Sequence, residues 1–211
     1  MKRIISVLLL LSFCLCALPA CGKLDTTGLL EAAPALIEAS AELNEIFYGE
    51  GIPYLENETP VGNYYPADPA YLKAKGFKTI EELKKKTARV FSEDYCKSIY
   101  ASTLSGFSAE GSGYIYARYS SSQAENLRDE NETILVSSTA ENALEHRLSI
   151  TYDYAGVRLG KVTRKYAIVV IPTVTVMKAD ADHPEDYTVE EDMEVKFIYE
   201  FNGWRIDSAT Y

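Results

Sequence analysis

Imidazole, thiol and indole are scarce in this sequence, with two histidines, four cysteines and one tryptophan in 211 residues. The catalytic vocabulary is correspondingly thin. No G-x-S-x-G elbow, H-E-x-x-H pair, P-loop or glycine-rich dinucleotide turn occurs, so the common hydrolase, zincin and nucleotide chemistries lack their scaffolds. His146 opens a predicted strand and His183 lies in an acidic loop, and no motif places a nucleophile with either. No catalytic residue and no cofactor is expected. Basic residues are also short, 21 against 31 acidic, for a net charge of −10. A surface so charged repels phosphate backbones, and no nucleic-acid partner is expected. Beyond Leu18, no apolar run approaches the roughly 20 residues that a membrane-spanning helix needs.

What is present begins at the N-terminus. Lys2 and Arg3, an apolar stretch from Ile4 to Leu18 and a small residue before a cysteine follow the plan of a secretory signal. Leu18-Pro19-Ala20-Cys21 resembles the lipobox of bacterial lipoproteins, with Pro19 departing from the small or aliphatic residue usual there. The resemblance implies cleavage before Cys21, diacylglycerol on its thiol, and an extracytoplasmic domain lipid-anchored to the bacterial cell membrane. Residues 1–20 then form the signal, 21–28 a short tether and 29–211 a single domain. Cleavage removes Lys2 and Arg3 and no acid, moving the net charge from −10 to −12. Cys14 and Cys16 leave with the signal and Cys21 is consumed by lipid, so Cys96 is alone and no intramolecular disulfide can form. Its place beside Tyr95, Ile99 and Tyr100 in a helical pattern suits a small buried hydrophobe.

Helical periodicity comes first. Leu29, Ala33, Leu36, Ile37, Leu43, Ile46 and Phe47 predict an amphipathic helix that Gly49 and Gly51 stop. Residues 52–69 hold several prolines and read as an ordered irregular connection. Thr79-Ile80-Glu81-Glu82 fits a capping box that starts a second helix, and Ser92 can cap a third with Tyr95, Ile99, Tyr100 and Leu104 inside. After Gly111 the period becomes two, and 114–119, 133–138, 147–154, 161–177, 188–201 and 204–210 each read as a strand. In 147–154, Leu148, Ile150, Tyr152 and Tyr154 are expected on the buried face. Asn202-Gly203 predicts the tight turn of the last hairpin. Helices followed by an antiparallel meander give the α+β class, with N-terminal helices packed on a curved sheet to form a cone or cup.

That order, with the closing Phe201-Asn202-Gly203-Trp204-Arg205-Ile206-Asp207 hairpin, resembles the cystatin-like superfamily, especially its nuclear transport factor 2-like members, over roughly residues 29–211. Phe77-Lys78-Thr79-Ile80-Glu81-Glu82-Leu83, followed by Val90-Phe91-Ser92-Glu93-Asp94-Tyr95, resembles small clostridial and bacillar lipoproteins. Among relatives with an assigned role it looks like the IseA type, inhibitors of the DL-endopeptidases that cut peptidoglycan stem peptides. This resemblance implies a non-catalytic protein that binds a cell-wall hydrolase or another envelope protein. The acidic charge would suit a basic partner.

Two further features bear on binding. The 180–186 loop is rich in oxygen ligands but lacks the glycine and bidentate glutamate of a calcium loop, so no metal site is expected and the segment reads as a solvated hairpin tip. The chain also holds 16 tyrosines, and Tyr64, Tyr65, Tyr152 and Tyr154 are candidates to line a small-ligand or wall-fragment cup. Half-buried strand packing is the competing explanation for their rings.

Overall fold

The computed structural model describes residues 23–105, 107–109, 113–115, 117–121 and 133–211. Cys21 and the signal segment lie outside them. Helix α1 (Leu29–Phe47) buries Leu29, Ala33, Ile37, Leu43, Ile46 and Phe47, the stripe its spacing predicts, and Pro34, its sixth residue, removes the bond an amide there would donate to Leu30 O. Its C-terminal end is held from outside. The Arg118 guanidinium donates to Gly49 O at 3.0 Å and also to Glu141 O, while Tyr119 donates to Ile46 O. A buried cation at a helix C-terminus is favoured by the carbonyl dipoles it meets.

The 52–69 connection is more regular than expected. Tyr64–Pro66 forms a short strand, β1, and Pro69–Lys75 forms helix α2. The signal for α2 is local. Asp68 caps Ala70 N at 2.8 Å, Pro69 occupies the first turn where no amide is needed, and Gly76 closes the helix in the left-handed region. Helix α3 (Ile80–Thr87) starts on Thr79, whose hydroxyl accepts from Glu82 N at 3.2 Å. The Glu82 carboxylate reaches back to accept from Lys78 N, one residue beyond the Thr79 amide that a capping box would give it. Ser92 caps helix α4 (Glu93–Thr103) through Tyr95 N at 3.0 Å.

The remaining chain forms β2 (Phe107–Ala109), β3 (Gly113–Ile115), β4 (Tyr119–Ser121), β5 (Ile134–Ser137), β6 (Arg147–Tyr152), β7 (Arg158–Val162), β8 (Ala167–Met177), β9 (Tyr187–Glu200) and β10 (Gly203–Ile206). The described strands pair antiparallel, with one parallel bridge from Phe91 to Ile206, and a curled sheet in the order β10-β9-β8-β6 makes a half-barrel, so the α+β class holds. The expected simple meander does not. Strands β1, β5 and β4 form a separate three-stranded sheet, and β2 pairs with β3 alone. Strands β6 and β7 both pair with β8, β6 along Thr173–Met177 and β7 along Ala167–Val170.

Four local departures occur, three of them with identifiable causes. The expected 114–119 strand is divided between β3 and β4. The expected 147–154 strand stops at Tyr152 because the Asp153 carboxylate accepts from Ala155 N and opens a 3-10 turn. Leu148, expected inside, is 49% exposed, because the register shifts between Arg147 and Ser149. The expected 161–177 strand is broken by a turn containing no glycine. Thr163 supplies it by accepting Lys165 N and Tyr166 N through its hydroxyl while its own amide donates to Tyr166 O.

One core joins these parts. The α1 stripe meets Val169, Ile171, Val195, Phe197 and Ile206 from the sheet, with Leu83, Phe91 and Ile99 from the later helices. Residues 90–92 cover the outer edge of β10, since Ser92 N donates to Ile206 O and Ile206 N to Val90 O.

Candidate functional site

The inward side chains of β8 run Ala167, Val169, Ile171, Thr173, Thr175. The change from aliphatic to hydroxyl at Thr173 marks where the closed core ends. Beyond it lies a cavity of about 340 Å³, within the size range of small-ligand pockets. Strand β6 gives it Arg147 and Ile150, β8 gives Thr173, Thr175 and Met177, β9 gives Glu191 and Met193, and the 143–146 loop and Tyr211 complete the wall.

Several polar groups there are already oriented. Thr173 donates to Glu191 O at 3.1 Å, and Arg147 pairs with Glu45 of α1 at 3.2 Å. The Tyr211 ring packs tilted against Tyr48 at 4.8 Å between centroids, and Tyr48 O accepts from Ala143 N, so α1, the loop and the C-terminal residue form one rim. Burial first, and then the neighbouring phenol of Tyr48, push the Tyr211 phenol above its ordinary pKa, which leaves it a neutral donor. His146 also lines the cavity, but its ring is exposed and leans on Glu145 at 3.3 Å.

Charge is concentrated beside this cavity. Asp180, Asp182, Glu185, Asp186, Glu190, Glu191, Asp192 and Glu194 are all exposed along the β8–β9 turn and β9. The turn is organised by its own carboxylate. Asp180 accepts from Asp182 N and His183 N, and its second oxygen accepts from the Tyr187 hydroxyl at 3.1 Å. Those amide bonds hold its pKa below the usual value. Among the described residues no group of three or more His, Cys, Asp or Glu is placed to hold a metal ion.

The four candidate tyrosines are not brought together. Tyr64 and Tyr65 belong to β1, where Tyr64 donates to Ala117 O and Tyr65 stacks on Tyr54 at 5.1 Å. Tyr152 and Tyr154 stack on each other at 6.0 Å beside the half-barrel, and Tyr152 donates to Thr210 O at 3.4 Å. The Tyr154 hydroxyl is buried with no partner, and burial, with Glu38 and Tyr152 adding to it, raises the phenol to about 12. None of the four lines this cavity. Cys96 is 4% exposed, and burial pushes its thiol up.

A second concavity, of about 400 Å³, lies between α3, α4 and the β9–β10 tip, with Phe91, Cys96 and Tyr100 as its apolar floor, the exposed Phe201 at its edge, and Lys84, Lys85 and Lys97 beside Glu81, Glu93 and Glu200 around it. The Lys84-Lys85-Lys86 run was the available sequence signal for it. No described helix is long and apolar enough to cross a membrane. No protein family, curated protein or solved structure matches the chain.

Proposed function

We propose that the protein is an extracytoplasmic lipoprotein, anchored through Cys21, whose half-barrel binds a partner without turnover. The observation that carries this reading is the cavity at the Thr173–Met177 end, opening beside a dense acidic surface. A basic protein that inserts a side chain there would meet aliphatic, hydroxyl and charged groups within one wall. A cell-wall peptidoglycan hydrolase is the proposed partner, consistent with the resemblance to IseA-type inhibitors. The cystatin-like, cone-shaped description belongs to the same proposal. Its support is the order of helices before sheet and the packing of α1 against the curled strands; the separate β1-β5-β4 sheet departs from it.

Affinity capture from envelope extract tests the reading, with the mature protein immobilised by its N-terminus and compared with Glu191→Lys. Recovery of a peptidoglycan hydrolase by the natural protein and its loss in the variant is the expected result. Equal recovery by both, or recovery of no hydrolase, would end the reading. The cavity's volume and mixed lining also favour a second reading, a muropeptide or glycan held in the cup. A muropeptide series that leaves the melting temperature unmoved would remove it.

A further inference from the structure

Leu24 N donates to Thr163 O at 2.7 Å, so the third residue after Cys21 is fixed to the turn between β7 and β8. Three residues of extended chain span roughly 10 Å at most, which places that turn beside any surface holding Cys21. The turn is basic. Lys161, Arg164 and Lys165 are exposed, Lys23 joins them, and Asp25 is the single acid within 23–28 and 158–166.

Strand register brings a second feature to the same end. Ala167, which follows the basic turn, pairs with Phe197, and β9 runs three residues further before reversing at Phe201-Asn202. Phe201 is 72% exposed and Tyr199 53% exposed. Phe201 also has φ 51, in the left-handed region that favours asparagine or glycine. A bare aromatic ring is thus held at a hairpin tip where the backbone disfavours it, the kind of local cost found at functional positions. The acidic 180–186 turn lies at the opposite end of β8 and β9.

We infer that the β7–β8 turn and the β9–β10 tip form a membrane-contact face. Lys23, Lys161, Arg164 and Lys165 lie on anionic phospholipid headgroups, and the Phe201 and Tyr199 rings enter the interfacial layer. The lipid and the protein surface then hold one bilayer together, and the acidic end with its cavity points away from it. This rests on the lipidation of Cys21 proposed above.

Hydrogen exchange on the full mature lipoprotein, in phosphatidylcholine vesicles with and without phosphatidylglycerol, tests the face. Adding phosphatidylglycerol should slow backbone exchange several-fold in 161–166 and 199–203 and leave 178–186 unchanged. Lys161→Glu combined with Lys165→Glu should abolish the slowing. Unchanged exchange at both segments, or slowing at 178–186, would overturn the inference. Intact mass separates this from failure of the anchor. If no diacylglycerol is found on Cys21, the lipid reading falls, and sedimentation of the unlipidated chain then decides the face. Salt-reversible binding to phosphatidylglycerol vesicles would retain it, and absence of binding would end it.

Discussion

Asn44 of α1 donates its side-chain amide to the Thr210 hydroxyl at 2.8 Å, joining residues 166 positions apart in a fully buried contact. Thr210 in turn lies 2.8 Å from Ser40 Oγ, and Ser40 donates to Ile37 O, so the proton chain runs in one direction from Asn44 to the Ile37 carbonyl. This contact sets the last residues of the chain against the helix and thereby places Tyr211 on the cavity rim.

Thr210→Val keeps the shape and removes the acceptor, which strands the Asn44 amide in the core. A buried donor left unpaired costs about 1–3 kcal/mol, and urea denaturation of the variant should show a loss of that order. Thr210→Ser should recover most of it. If valine is tolerated within about 0.5 kcal/mol, the network is not a stabilising contact.

Much of this fold was legible in the sequence. Helix α1 follows from its apolar stripe, and the caps at Thr79 and Ser92 follow from the hydroxyls that precede those helices. The hairpin turn was misplaced for a physical reason. Asn202-Gly203 is the favoured turn pair, yet Phe201-Asn202 occupies the tip and Glu200 pairs with Gly203. Alternation is blind to this slide, since both registers keep Trp204 on the same face as Tyr199. The core decides it, by setting Ile206 opposite the fully buried Phe197. The cavity could not be read from spacing, because its wall draws on β6, β8, β9, a loop and the C-terminus. Whole-chain acidity likewise hid the basic turn at Lys161–Lys165, which strand register brings to one end.

Gly51 adopts φ 82, and a Cβ built there would lie 2.4 Å from the Arg118 guanidinium and 2.9 Å from the Tyr119 hydroxyl. Both groups clamp the end of α1. Gly51→Ala should therefore lower stability by about 2 kcal/mol or more, beyond the left-handed backbone cost alone of roughly 1 kcal/mol. The 141–147 loop should also exchange its amides faster, because Arg118 holds Glu141 O. A variant with unchanged melting and unchanged loop exchange would show that the clamp yields without consequence.

Glu42 lies between Lys75 and Lys86, at 3.0 and 3.1 Å. Burial acts to raise its pKa, but the two ammonium groups outweigh burial and hold it below 4.5. A lowered folded pKa contributes stability that is present above the unfolded value and lost as pH falls through the folded one. The window therefore opens near 4.5 and extends downward. Glu42→Gln should cost about 0.5–1 kcal/mol at neutral pH, discounted for its partial exposure, and the difference from the natural protein should shrink below that window. An acid-denaturation series with a constant difference at every pH would remove the assignment.

Phe201 sets stability against membrane contact. With φ 51 it occupies the first central position of a turn in which both residues are left-handed, and its ring is largely in water. Phe201→Asn supplies a residue that tolerates that backbone, so folding should gain about 0.5–1 kcal/mol and the melting temperature should rise by about 1–4 °C. The same change removes the most exposed large hydrophobic side chain of the contact face. Retention of the lipidated protein on phosphatidylglycerol vesicles under dilution should fall even as stability rises. A purely structural role for Phe201 predicts no loss of retention. If both quantities rose together, the ring would have no part in holding the bilayer.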